Sequence, residues 1–464
     1  MMGREKKRGA KLSEKTRKKL FCIEILLLSS VLTSFLYPAN GLTDEKKFDF
    51  SGYFQNFLIF KTDRDFERTP AFYEPWGQTA GVLGTYAEPK FSFISGENKL
   101  FALEFLLGFN IWSRNFNIGR PDAQAGRQIF IFARQLYSDL ILSGFNVKAG
   151  YQYFSDPIAI FVRHWIGGVR FEKENLQLFL GQIPDQTYEG VELFANNFIN
   201  DTYIFSIAYA EGGFSRRDAI PFASKGFFGG IYNLFDNSVV RKPSFVSTLV
   251  VGYLFDSDNF YFVGGLAGQG GVLSKSSFGL KNELHLAGAF QLSLAKKGKN
   301  KIGADIMLLS PDNPSYRDGV NFGFLYSGKS MSRTLLLTED EIIFKSDNLD
   351  LNMAEVFSQF RLMRAGFFVP DVWFELPLGE NFKITPVLGV GLTLSGENSL
   401  KSNFIGLEGD LIFSYVLGQD MRFDFGNIFF VPGRASASFT SRINPAGDLR
   451  MLIYSAEFSL KFFF

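Results

Sequence analysis

Apolar and polar residues alternate with a period of two over most of the chain. In Arg450–Phe464, reading RMLIYSAEFSLKFFF, one face holds Phe464, Phe462, Leu460, Phe458, Ala456, Tyr454 and Leu452, and the other Lys461, Ser459, Glu457 and Ser455. This is the alternation of a β-strand. In water such a strand, ending in an exposed aromatic, is a sticky edge. It is accommodated when its apolar face meets lipid and it pairs with the first strand, leaving no edge open.

From Lys46 onward one unit recurs: an alternating segment, a tight polar turn, a second segment and a longer connection. Phe48, Phe50 and Phe54 alternate with Asp49, Ser51 and Gln55; Leu103, Phe105, Leu107, Phe109 and Ile111 alternate with Glu104, Gly108 and Asn110. Tight turns are expected at Ser95–Asn98, Ser143-Gly144, Glu174-Asn175, Asp256–Asp258, Lys296–Asn300, Gly379–Asn381 and Gly418–Asp420. The longer connections include Lys61–Gln78, Arg114–Gly126, Pro184–Asn200 and Pro432–Leu449. With both chain ends on one side, tight turns follow even strands and long connections odd ones; the stretch near 213–224 fits that order poorly. The pattern predicts an all-β fold, a transmembrane antiparallel up-and-down β-barrel of about 18 strands, with roughly 16 to 20 as the range. Segments around Val320–Tyr326 and Val356–Met363 would supply an extra hairpin at the upper end of that range.

Composition agrees. Aromatics are 17% of 464 residues and Phe alone numbers 56, yet mean hydropathy is only +0.04 and 20% of residues are charged. Strands apolar on one face and polar on the other average out in this way. Outside the N-terminus no apolar run approaches the roughly 18–20 residues of a spanning helix.

Residues 1–41 read as a cleaved signal peptide: a long basic stretch, an apolar run Ile25–Tyr37, and Ala39-Asn40-Gly41 before Leu42. They carry nine Lys or Arg against three Glu, so residues 42–464 hold about −5 rather than the +1 of the whole chain. No basic face remains to neutralise phosphates, and nucleic acid is not an expected partner. The single cysteine, Cys22, lies within the signal segment, ahead of its apolar run, so neither disulfides nor a lipid anchor are expected.

The polar face of the strands gives the pore-lining candidates: Lys148, Gln152, Arg170, Glu172, Lys281, Glu283, His285, Glu375, Lys383, Glu408, Asp410, Arg422, Asp424, Glu457 and Lys461. Ionisable side chains are costly against lipid and belong in a wet interior. Two readings stand together. Opposed basic and acidic rows set a transverse field that filters solutes, or the same charges are cross-strand pairs that tie neighbouring strands. Only Ser310–Pro370 is long enough to be expected to fold into the lumen and narrow it. Its Ala354–Arg364 piece has loosely helical apolar spacing and would bring Glu355, Arg361 and Arg364 to a constriction; the alternative is a surface loop or an added hairpin. Catalysis would need a nucleophile beside a base. The two histidines, His164 and His285, have no Ser-centred motif next to them, and no cluster has metal-ligand spacing, so neither enzyme activity nor a cofactor is expected.

The signal peptide, the alternating strands and the terminal Phe464 with Phe462 behind it resemble Gram-negative outer-membrane porins, in which the closing strand is an assembly signal. That resemblance implies location in the bacterial outer membrane, insertion by the barrel assembly machinery, and passive passage of small polar solutes. A local likeness to alginate-export-type barrels is carried by Arg134-Gln135-Leu136-Tyr137 with Asp139, the Ser143–Asn146 turn and Ala149-Gly150-Tyr151-Gln152. Tyr151 stands where that family has Arg, and the inward face lacks the strongly basic character a polyanion path requires. The other functions to be weighed are therefore a polysaccharide exporter, a hydrophobic-solute channel, and a closed barrel acting at the surface or in assembly.

Overall fold

The structure is a computed structural model, described here for residues 46–61, 80–109, 129–183, 202–214, 225–236, 244–273, 283–312, 319–325, 333–334, 366–394, 402–435 and 452–464. The expected signal segment and the Ala354–Arg364 piece lie outside the described residues.

Antiparallel strands run in chain order as β1 (Lys46–Lys61), β2 (Ala80–Ser95), β3 (Asn98–Phe109), β4 (Ile129–Leu142), β5 (Phe145–Ser155) and β6 (Arg163–Lys173). They continue as β7 (Leu176–Ile183), β8 (Thr202–Ala210), β9 (Gly226–Asp236), β10 (Ser244–Asp256), β11 (Phe260–Leu273), β12 (Glu283–Lys296) and β13 (Lys301–Leu309). After the two-residue β14 (Val320–Asn321) come β15 (Phe367–Pro377), β16 (Phe382–Thr393), β17 (Phe404–Leu417), β18 (Met421–Pro432) and β19 (Ile453–Phe463). Each wall strand pairs with its sequence neighbours, β13 pairs directly with β15, and β1 pairs with β19. The result is a closed antiparallel barrel of eighteen wall strands.

β14 is not part of an added wall hairpin. Val320 and Asn321 run parallel to β12 opposite Leu284 and His285, beyond the point where β13 stops, and complete the sheet there.

Closure follows from the terminal pattern. Tyr53 through Lys61 pair with Phe463 through Ser455, and the ladder is extended by Gly52 N–H to Phe464 O (2.9 Å) and Phe464 N–H to Gly52 O (3.1 Å). At the β4–β5 turn, Ser143 (φ 51°) and Gly144 (φ 79°) both adopt left-handed angles, the two-residue turn that matches strand twist.

The outer face is apolar. On β12, Leu284 and Leu286 are exposed while Glu283, His285 and Gln291 are buried; Leu249, Leu266 and Leu388 are exposed elsewhere around the wall. Among the described residues no helix is long and apolar enough to cross a membrane; this chain crosses with strands. Aromatic rings gather near the end carrying the short turns, including Phe50 against Phe464 (5.2 Å) and Phe425 against Phe458 (4.3 Å). Deleting Phe464 removes two seam hydrogen bonds and one ring of this girdle. The yield of folded, heat-modifiable barrel should fall, and Phe462→Asp should have the same effect; a wild-type yield for both would refute the role given to the closing strand.

Candidate functional site

The interior has two unlike sectors. From β6 to β13 the inward positions are largely apolar: Ile166, Phe179, Ile204, Phe228, Tyr232, Val246, Val250, Val263 and Met307 are all buried in one cluster. In a water-filled barrel of this size these side chains would be wet. They are covered by the seven-residue connection 156–162 between β5 and β6, in which Ile158, Ile160, Phe161 and Val162 are buried in the same cluster. Ile158 reaches across to β11, where Gly265 makes room: a Cβ there would come within 2.8 Å of Ile158 Cδ1. Phe154, the last inward residue of β5 before the connection, stacks on Phe179 at 3.9 Å.

A single carboxylate shapes this plug. Asp156 Oδ1 accepts the N–H groups of Ile158 (3.1 Å) and Ile160 (3.3 Å), and Oδ2 those of Phe161 and Val162 (both 2.8 Å). The backbone closes the same loop through Asp156 N–H to Val162 O (2.9 Å). Asp156 is fully buried. Without a side-chain acceptor, donors this deep would be left unpaired. A narrowing connection therefore need not be long, contrary to the expectation that Ser310–Pro370 alone could fill the lumen.

Described parts of that long connection also lie on the inner wall. Gln269 on β11 pairs with the Leu325 peptide as a backbone would, accepting its N–H (2.8 Å) and donating to its C=O (3.0 Å), and His285 Nε2 lies 3.0 Å from Gln269 Oε1. Phe324 and Leu325 join the apolar cluster. Lower down, the Arg333 guanidinium stacks on Trp373 (3.6 Å) and pairs with Glu375 (3.1 Å), and Arg333 N–H reaches Asp371 (3.2 Å). Thr334 is buried against Gly389 of β16.

The second sector, from β15 round the seam to β6, is polar, and its charges are paired. Glu375 meets Lys301 (3.3 Å) and Lys383 (3.6 Å) as well as Arg333. Arg422 pairs with Asp424 (2.8 Å), which also accepts from Ser414 (2.6 Å). Lys90 bridges Glu88 (3.2 Å) and Glu104 (3.1 Å). Lys461 lies over Tyr53 (5.0 Å) and Lys148 over Tyr137 (3.8 Å); Gln152 donates to Lys148 O and Gly168 O (both 3.1 Å). Arg170 and Glu172 pair at 3.0 Å, with Gln177 donating to Glu172 (2.7 Å). Glu408, Asp410 and Glu457 are inward and buried, as are Glu283 and His285 on the apolar side.

Exposure separates the two signs. The side chains of Lys90, Lys301, Lys383, Arg422 and Arg333 are 39–47% exposed, whereas their partners Glu88, Glu104, Glu375 and Asp424 are 3–12% exposed. Arg170 and Glu172, both largely covered, depart from this, as do the buried Lys148 and the Lys297–Asp256 pair, in which the acid is the more exposed. Pairs this open contribute at most about 1 kcal/mol each to stability, so their larger consequence is the field at the wall. Lys281, Glu355, Arg361 and Arg364 lie outside the described residues. Asp156, Gln269, Arg333 and Trp373 escaped the sequence reading. The available signal was Ile158–Val162, five apolar residues in succession within a connection, which water would not tolerate unburied.

The sequence matches no family model and no curated protein. Solved structures do match over nearly the full barrel. Pseudomonas aeruginosa OccK9 (OpdG) has a TM-score of 0.54 at 12% identity, covering 90% of this chain and 98% of that chain. The fold is that of the Occ/OprD-type outer-membrane porins. Acinetobacter baumannii OccAB1 aligns with a TM-score of 0.53 at 10% identity over 90% of this chain and 96% of its own. Pseudomonas aeruginosa OpdK, solved with vanillate, aligns with the same TM-score and identity over 90% and 98%.

Proposed function

We propose that this chain is a bacterial outer-membrane channel, not an enzyme, through which small polar solutes pass down their gradient. The observation that carries this reading is the division of the lumen. An apolar plug fills the β6–β13 sector, and the polar sector left beside it is lined by half-exposed Lys and Arg side chains. Solutes would run along that polar sector, and because cations stand nearest the path while their acidic partners lie back in the wall, anions would be favoured. OpdK, the porin solved with vanillate, gives a precedent for a small organic solute in this fold. The short turns would face the periplasm, a signal peptide of residues 1–41 would direct export, and the barrel assembly machinery would insert the chain through its Phe464 strand.

The purified barrel in a planar bilayer should give discrete openings, with a reversal potential under a salt gradient displaced toward the anion. Absence of openings would favour the closed-barrel reading, to which the full burial of inward Glu408 and Glu457 lends weight. Cysteine substitution maps the path. A water-soluble thiol reagent should label Lys383→Cys and Arg422→Cys and spare Leu284→Cys and Leu286→Cys in membranes; the reverse pattern would overturn the assignment of faces.

A further inference from the structure

Proline has no N–H to give a ladder, and within a sheet it belongs at edges, strand ends and bulges. A closed barrel has no edge. Pro377 and Pro432 end their strands, but Pro370 of β15 and Pro386 of β16 stand well inside theirs. Both missing donors belong to the same ladder. β15 keeps an unbroken register with β13, and β16 keeps its rungs with β17 from Phe382 to Gly391. Between β15 and β16 the register fails at Val369/Gly391 and Pro370/Val390, and again at Phe374/Pro386 and Glu375/Thr385. The carbonyls of Val390 and Phe374 each face a nitrogen that bears no hydrogen. Between the two gaps only Asp371↔Gly389, Val372↔Leu388 and Trp373↔Val387 hold. Val372, Phe374 and Leu388 are exposed on the apolar outer face, so the gaps lie at lipid depth, where no water replaces a lost donor. Pro89 opens one comparable gap, in the β2–β3 ladder. Among the described wall strands, two prolines interrupt a single ladder at β15–β16 alone.

We propose that the wall parts at this seam, opening the lumen sideways toward the lipid, and that residues 333 and 334 strap it shut from inside. Parting over these residues breaks two bonds fewer than in a regular ladder, so the barrel yields here before it yields elsewhere. The strap lies across the rungs that survive. Arg333 holds β15 through three inward residues: its N–H on Asp371 (3.2 Å), its guanidinium stacked on Trp373 (3.6 Å) and paired with Glu375 (3.1 Å). The next residue, Thr334, is buried against β16 at Gly389, where a Cβ would collide with its methyl group. Asp371 and Gly389 are partners on one rung, so two consecutive residues of the long connection grip both strands at the same height. Lys383 of β16 also reaches Glu375 across the seam (3.6 Å), but with the lysine 39% exposed that pair adds little. Neither the parting nor the strap depends on which solute the channel passes.

Amide hydrogen exchange on the full-length folded barrel in lipid nanodiscs tests both halves without requiring conduction. The amides of Val372, Phe374, Leu388 and Val390 should exchange at least about tenfold faster than those of the β17–β18 ladder, as two absent bonds of ordinary net strength imply. The double variant Pro370→Val, Pro386→Val restores both donors and should slow exchange at the seam to the β17–β18 rate. If that variant loses heat-modifiable folding, each single proline variant should slow the amides next to its own gap. Arg333→Ala with Thr334→Ala leaves every wall ladder intact and should quicken exchange at the seam several-fold, with β17–β18 unmoved. Equal rates at the two ladders in the unaltered chain, or fast exchange that persists once the donors are restored, overturns the parting. Unchanged seam exchange in the Arg333, Thr334 variant overturns the strap.

Discussion

Replacing Asp156 with Ala should enlarge the pore and make it noisy, raising single-channel conductance several-fold while the barrel still closes. The carboxylate accepts four backbone N–H groups inside the plug. Leaving each buried and unpaired costs about 1–3 kcal/mol. Keeping Ile158, Ile160, Phe161 and Val162 out of water is worth a similar amount, roughly 1.5–3 kcal/mol for each large side chain. The two totals nearly cancel. The segment should then exchange between docked and released states, seen as flickering between two conductance levels. Asp156→Asn retains one accepting oxygen and should fall between the variant and the wild type. None of the eighteen wall strands depends on this connection for its ladder, so folded yield should change little. A quiet trace at wild-type conductance in a folded Asp156→Ala barrel would show that 156–162 does not bound the path.

The second large effect is expected from the long connection. Replacing roughly residues 328–366 with a short Gly/Ser linker removes Arg333 and Thr334 from the inner wall but leaves the Gln269 clamp on Leu325 in place. Connections carry little strand pairing, so the barrel should still fold. Conductance should rise several-fold, and the anion preference should weaken because one of the three lumen-facing cations around Glu375 is gone. Together the two variants assign the narrowing. If only the Asp156 variant widens the pore, the short connection sets its bore; if only the linker variant does, the long one sets it. Unchanged conductance in both would place both outside the conducting path.

How legible the fold was depends on the face. On β12 the exposed Leu284 and Leu286 alternate with buried Glu283 and His285, and there a period of two reads directly as wall and lumen. The same holds for the closing strand and the Gly-containing turns. The alternation fades on β8–β10, where inward Ile204, Phe228, Val246 and Val250 are as apolar as outward Ile207, Ile231 and Leu249. A strand buried on both sides loses its period. The apolar inner wall was therefore invisible as a pattern, and only the run Ile158–Val162 in a connection pointed to the segment that covers it. Charge was legible by position but not by weight. Glu375 and Lys383 fall on the inward face of their strands, yet which of them stands in water depends on how far each side chain extends from the wall. Arg333 lies in no periodic element, and only the three-dimensional path of the connection brings it to Trp373.

The seam between β1 and β19 also has a meaning in time. Gln55 hydrogen-bonds Ser459 at 2.9 Å across 404 residues of chain. On the export route proposed above, both partners reach the membrane before either is paired. Until β19 docks, the edge of β1 that will face it has nothing to hold. Hairpins such as β4–β5 can form early because their partners are sequence neighbours, but the ring is complete only when its most distant pair meets, and long-range pairing of this kind is intrinsically slow. Any chain cut short before residue 452 would keep two open edges and none of the nine seam pairs. Such fragments should stay soluble only while held by a chaperone, and a cell could recognise an unfinished copy by that edge alone.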